Sequence, residues 1–280
     1  MAHSHRTDSH EAHARHADPV MTEMLDLDVD VLHEYHRELI TWVGSLPPVR
    51  PLLIDLGAGT GTGALALAQE RPDAHVVAVD GSAEMLDHLS HRARALGVAE
   101  RIRTVQADLD EPWPVLGPAD LVWASASLHH LADPGRVAGE IRAALRPGGV
   151  VAVVELDSFP RFLTEDPGAA VEERGHALMA EYRAEAGMHL GEDWGARLAA
   201  AGLVVDAPRH VDIELRAPLP AAAGRYAQVC LQRMRQRLDT RLSAGDLAVL
   251  DTVVAGLPDR DDLTVRTART LWLGRRPVEG

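Results

Sequence analysis

With 280 residues, 46% of them apolar and 25% charged, the chain has the composition of one large α/β domain or two small globular ones. A net charge of −14 argues against broad binding to nucleic acid, and no stretch reaches the roughly 18 consecutive apolar residues of a membrane span. The polar N-terminus lacks the apolar core of a signal peptide, and the single cysteine, Cys230, excludes an internal disulfide, so a cytoplasmic setting is expected.

Residues 1–18 hold five of the fifteen histidines and almost no apolar side chain larger than alanine, which predicts a disordered, dispensable tail. His10, His13 and His16 recur every third residue, but no metal site is expected. From Asp28 onward Val31, Leu32, Tyr35, Leu39, Trp42 and Val43 follow helical spacing until Pro47-Pro48. Strand and helix then alternate: a strand at 52–56, a helix at 64–69, a strand at 75–79, a helix carrying Met85, Leu86, Leu89, Ala93 and Leu96, and strands near 102–106, 121–124 and 150–156, with a helix at 134–145 before the last. The nearly uniform apolar run at 150–156 suits a parallel strand covered on both faces. The alternation predicts a doubly wound, mostly parallel sheet.

Beyond Leu156 the rhythm changes. An amphipathic helix is expected at 170–186 and a short one at 193–201. A long strand is expected at 203–215, two helices between 219 and 255, and a final strand at 263–273. Arg225, Arg233, Arg235, Arg237 and Arg241 read as the solvated face of a helix whose apolar face carries Tyr226, Cys230, Met234 and Leu238.

The chemistry concentrates in Asp55-Leu56-Gly57-Ala58-Gly59-Thr60-Gly61, between the first strand and its helix. Glycines there let the backbone turn tightly and approach a ligand with no Cβ in the way. Alone, such a turn also fits NAD and FAD enzymes or a purely structural turn. Asp80, followed by Gly81, closes the second strand nineteen residues after Gly61, where a carboxylate can accept bonds from ribose hydroxyls. Asp108 ends the third strand, where an acid can accept a bond from an exocyclic amine of adenine.

Together these segments resemble a class I S-adenosylmethionine-dependent methyltransferase of the group acting on small molecules. The resemblance rests on DLGAGTG (55–61), VAVDGSAEML (77–86), QADL (106–109), ADLVWASASLHHL (119–131) and LRPGGVVAVVE (145–155), in the family's order. It implies a Rossmann-like sheet ending in an antiparallel strand pair, with S-adenosylmethionine as cofactor. Gly57, Ala58, Gly59 and Gly61 would approach its methionine and ribose, with Asp55 at the acidic start of the motif. Asp80 and Gly81 would hold the ribose. Met85 would pack near the adenine, Asp108 would bind its amine, and Leu109 would give a backbone contact. Ala124 and Ser125 would lie near the methionine end.

The implied organisation is one domain over 19–280, with N-terminal cap helices in 19–48, a cofactor core at 50–156 and helical caps at 157–202 and 216–256. His129 and His130, after the fourth strand, are the candidate general bases, with His176 and His189 as weaker ones. Tyr35, Tyr182 and Tyr226, on the covering helices, are candidates to line the acceptor cavity. A small-molecule acceptor is expected, with no nucleic-acid or membrane partner, and the oligomeric state is left open. The alternatives are a cofactor-binding regulator without catalysis and a nicotinamide-dependent oxidoreductase. The absence of a Ser-Tyr-x-x-x-Lys motif weighs against the oxidoreductase.

Overall fold

Five parallel strands set the frame of the computed structural model, which describes residues 19–164 and 167–278; the expected tail at 1–18 lies outside them. Strands β1 (Leu52–Leu56), β2 (His75–Asp80), β3 (Ile102–Gln106), β4 (Ala119–Ser125) and β5 (Leu145–Arg161) alternate with helices α3 (Thr62–Glu70), α4 (Ala83–Ala95) and α5 (Pro134–Ala144). Both faces of β1, β2 and β4 are covered, which is why their residues are almost uniformly buried and apolar. Short polar side chains start the helices. Ser82 accepts from the backbone N–H of Met85, and Asp133, before Pro134, accepts from that of Arg136.

The strand order is β3-β2-β1-β4-β5-β8-β6, with β6 (Val204–Val205) and β7 (Arg209–Leu215) both pairing antiparallel to β8 (Val265–Arg275). β8 itself runs antiparallel to β5, so the expected reversed pair at the end of the sheet is present. The chain leaves β1 for β2 on one side, while β4 lies on the other. That reversal opens a crevice beyond the carboxyl ends of β1 and β4, the place where open α/β sheets bind ligands.

Three elements differ from the sequence expectation. The first helical run is two helices, α1 (Pro19–Val31) and α2 (His33–Gly44), broken at Leu32, whose backbone leaves helical geometry at φ −97° and ψ 28° while its side chain is buried. Periodicity alone does not show such a break, because the apolar pattern runs on through it. The long strand at 203–215 is split around Pro208, which has no N–H for the ladder: β6 pairs the end of β8, and β7 pairs its beginning. β5 and β8 extend beyond the rest of the sheet, with Arg161 paired to Arg266. This extension carries a third core, in which Phe162, Val171, Tyr226, Leu231 and Leu250 join helices α6 (Pro167–Glu185), α8 (Ala223–Arg237) and α9 (Ala244–Gly256). A short helix, α7 (Trp194–Ala200), packs beside α5 on the main sheet. Among the described residues no helix is long and apolar enough to cross a membrane.

Candidate functional site

The glycine turn is shaped by what surrounds it. Gly61 has φ +86°, and a Cβ built there would stand 2.4 Å from Leu89 Cγ; at Gly57, with φ +67°, a Cβ would meet that of Ser127 at 2.5 Å. Gly61→Ala should therefore combine a left-handed backbone penalty of about 1–2 kcal/mol with an overpacking cost of about 1–3 kcal/mol. Chemical denaturation should show the loss as a lower midpoint, and an unchanged midpoint would contradict this packing.

Asp80 locks the turn. Its Oδ2 accepts the N–H of Gly59 at 2.8 Å, its Oδ1 accepts the N–H of Ser82 at 2.8 Å, and Ala58 N–H donates to the carbonyl of Val79. Each carboxylate oxygen keeps a free lone pair at the mouth of the turn. Asp55 lies one layer deeper, almost fully buried, and its Oδ2 has no hydrogen-bond partner. Burial pushes its carboxyl up to about 7 against the N–H of Ala64, with Asp80 adding to the rise. The lone pairs that Asp80 keeps at a turn the glycines leave open suit a cofactor that brings hydroxyl donors, so the residues present fit the group the sequence implies.

Helix α1 crosses this mouth. Thr22 Oγ1 reaches Met85 Sδ at 3.9 Å, and Leu25 Cδ1 lies over Gly59. Asp26 pairs with His88 and Arg92, and Arg92 also donates to the carbonyl of Thr60. Toward the third strand Met85 and Leu109 are buried, while Gly81 and Asp108 are exposed. Asp108 Oδ1 accepts from Asp110 N–H, and the Leu109 carbonyl accepts from Trp113 and Arg136.

Beyond β4, Ala124 is buried, Ser125 is half-buried, and Ala126 is held at φ +50°, strained for a residue with a Cβ, with its N–H bonded to the Val154 carbonyl. Ser127 Oγ donates to the carbonyl of Leu56, tying this loop to the glycine turn. The next turn, Leu128–His130, wraps around Glu155. Glu155 Oε1 accepts from the N–H groups of Ser127, Leu128 and His129, and Oε2 lies 2.6 Å from His129 Nδ1. Because the carboxylate accepts, the imidazole proton sits on Nδ1 and Nε2 keeps its lone pair. His129 is buried, whereas His130 is exposed; their rings lie 4.1 Å apart. The His129 carbonyl also accepts from His189 N–H. Thr270, directly across from Glu155, helps line a cleft of about 300 Å³ with Asp157, Glu192, His210 and Trp272. Sequence reasoning left Glu155 without a role. Its signal was a lone acid within the otherwise apolar run 150–156.

The three tyrosines part company. Tyr226 is buried and donates to Asp28 Oδ1 at 2.5 Å, and Tyr35 is half-buried, with its hydroxyl pushed up to about 12 chiefly by burial. Tyr182 lies between α6 and α8, where Arg237 donates to its hydroxyl. Arg225, Arg235 and Arg241 pair with Glu23, Asp251 and Glu185 on the outer surface. Asp28 also takes His36 and the buried Arg269, an internal charge pair that the sequence pattern did not show. Burial alone would raise the Asp28 carboxyl, but Arg269, His36 and Tyr226 outweigh it and hold it at about 2. With the folded value below the unfolded one, this stabilisation is complete above about pH 4 and fades as pH falls through about 2. Asp28→Ala, which leaves Arg269 buried without its partner, should cost about 3–5 kcal/mol at pH 7. In parallel acid titrations the gap between variant and wild type should close toward pH 2. A gap that stays constant overturns the assignment.

The sheet order, the switch-point crevice and the glycine–aspartate lock define a nucleotide-cofactor domain of Rossmann-like type. The methyltransferase domain family matches residues 53–149. A trans-aconitate 2-methyltransferase of Azoarcus sp. (strain BH72) is 34% identical over 174 residues, covering 62% of this chain and 53% of that protein. The 27-O-demethylrifamycin SV methyltransferase of Amycolatopsis mediterranei (strain S699) is 29% identical over 200 residues, covering 70% of each. The YcgJ protein of Bacillus subtilis shares the fold with a TM-score of 0.56 at 19% identity, covering 89% of this chain and 100% of that one. The chain spans about half the length of the Azoarcus protein it matches. Residues 53–149 thus match a methyltransferase domain, and the Azoarcus and Amycolatopsis relatives are methyltransferases.

Proposed function

We propose that the chain transfers a methyl group from S-adenosylmethionine to a small-molecule acceptor in cytoplasmic metabolism. The observation that carries this reading is the Asp80 carboxylate, bonded to Gly59 and Ser82 at the mouth of the glycine turn, in the crevice beyond β1 and β4. The bound cofactor supplies a methyl group already activated on a sulfonium. The protein's part is to place an acceptor in line with it and to exclude water, and orientation of this kind lowers a barrier by roughly 7–11 kcal/mol.

On this reading Asp80 holds the ribose, with Asp55, Gly57, Ala58, Gly59, Gly61 and Gly81 around the rest of the cofactor's near side. Met85, Asp108 and Leu109 receive the adenine, and Ala124 and Ser125 face the methionine end. Residues 50–156 form the cofactor core, while 19–48, 157–202 and 216–256 cover it and shape the acceptor site. Tyr35, on α2, and Tyr226, on α8, line that site, and Tyr182 belongs to its outer wall. His129 Nε2 takes the acceptor's proton while Glu155 holds the ring. Such a base contributes about 10²–10⁴-fold, so we assign an acceptor whose attacking atom carries a proton, a hydroxyl, enol or amine. The two named relatives, one acting on trans-aconitate and one on a demethylrifamycin, support a small metabolite.

The test incubates the chain with S-adenosylmethionine and a panel of hydroxylated and amine-bearing metabolites, following S-adenosylhomocysteine and the methylated product by mass spectrometry. Turnover with any panel member supports the proposal. Tight cofactor binding without turnover on the whole panel favours the regulator instead.

A further inference from the structure

Arg183, on the last turns of α6, has an unusual place among the arginines of the cap. Its guanidinium stacks 3.4 Å from the ring centroid of Phe159, on the extension of β5, and no carboxylate among the described residues pairs with it. The acids of its own helix are committed elsewhere. Glu172 accepts the N–H groups of Phe162 and Leu163, Glu173 pairs with Arg161, Glu185 pairs with Arg241, and Glu181 also acts on Arg241. Arg233 and Arg237 of α8 face Arg183, and together with its burial they pull its pKa down to about 10. Two turns back along α6, His176 feels the charges of both Arg161 and Arg183. Burial first, and then these two arginines, push it down to about 4 and keep it neutral, and its buried Nε2 has no hydrogen-bond partner.

A half-buried guanidinium held by an aromatic face, repelled by its neighbours and with no carboxylate paired to it among the described residues, is costly unless an anion arrives to use it. Its planar fork matches a carboxylate or phosphate with two parallel bonds. Phe159 lies four residues beyond Glu155 on the same strand, roughly 10–13 Å along it. That is the span of a metabolite with its reacting atom at one end and an acidic group at the other.

We propose that Arg183, backed by Phe159, is the anchor for an oxyanion, carboxylate or phosphate, on the acceptor. Its role as an acceptor anchor rests on the methyl-transfer reading, whereas anion binding at Arg183 does not. The site selects acidic metabolites over neutral ones, and an anion seated there relieves the repulsion among Arg183, Arg233 and Arg237.

The test is calorimetric titration of the full chain with citrate and, separately, inorganic phosphate at constant ionic strength set by chloride, alongside S-adenosylmethionine. The wild type should bind at least one of the two anions; binding of citrate alone identifies a carboxylate site, and binding of phosphate alone a phosphate site. R183Q should weaken that binding at least tenfold and leave cofactor affinity unchanged. If R183Q does not fold, F159L decides, with an expected loss of several fold from a guanidinium no longer held in place. Failure of the wild type to bind either anion, or variant binding equal to wild type, overturns the site. Loss of cofactor binding in the wild type with Arg183-dependent anion binding intact overturns the methyl-transfer reading and leaves the anion site standing.

Discussion

Glu155→Gln is expected to cut the methyl-transfer rate by about 10²–10⁴-fold while leaving the acceptor KM within a few fold. Glu155 Oε1 accepts three backbone N–H groups, and a glutamine carbonyl can still serve them. The amide nitrogen then faces His129 Nδ1, which must accept rather than donate. The imidazole proton moves to Nε2, and the ring loses the lone pair that takes the acceptor's proton. Replacing charge-assisted bonds by neutral ones should also cost about 1–2 kcal/mol of stability. A purely structural role predicts the stability loss without the selective fall in kcat. Steady-state kinetics beside melting curves separate the two, and an unchanged kcat in a destabilised variant removes His129 from the chemistry.

Asp80→Ala should weaken S-adenosylmethionine binding by more than tenfold. Two contributions act together. The ribose loses a charged acceptor worth about 1.5–3 kcal/mol, and each 1.4 kcal/mol is a factor of ten in affinity. The turn also loses its lock, because the N–H groups of Gly59 and Ser82 no longer share one carboxylate. The strands around it keep their own ladders, so the variant should remain folded by circular dichroism. Equal affinity in a folded variant would remove Asp80 from the site.

The parallel-sheet half of the molecule is legible in the sequence because its signals are local. DLGAGTG needs a strand before it and a helix after it, and both are visible in short windows of 52–69. The meeting of Asp80 with that turn follows from its place at the end of an apolar strand beside the first. The helical layer around the third core is not legible, because its contacts join residues far apart in the chain. Asp28 meets Tyr226 and Arg269 across about two hundred residues of sequence, and Glu155 meets a histidine on a different loop. Nothing in the sequence pattern joins Arg183 to Phe159, which belong to different elements. The break at Leu32 was hidden for a related reason: the residue is apolar and fits the helical pattern, while the tertiary core takes its side chain.

The glycine turn and Asp80 are also what a nicotinamide enzyme would present, so cofactor choice separates the two classes. Calorimetric titration of the wild-type chain with S-adenosylmethionine, S-adenosylhomocysteine, NAD and NADP, under one set of conditions, tests it most directly. We expect saturable one-to-one binding of both S-adenosyl compounds and none of either nicotinamide at the same concentrations. Binding of NAD or NADP with no heat from the S-adenosyl compounds would contradict the account.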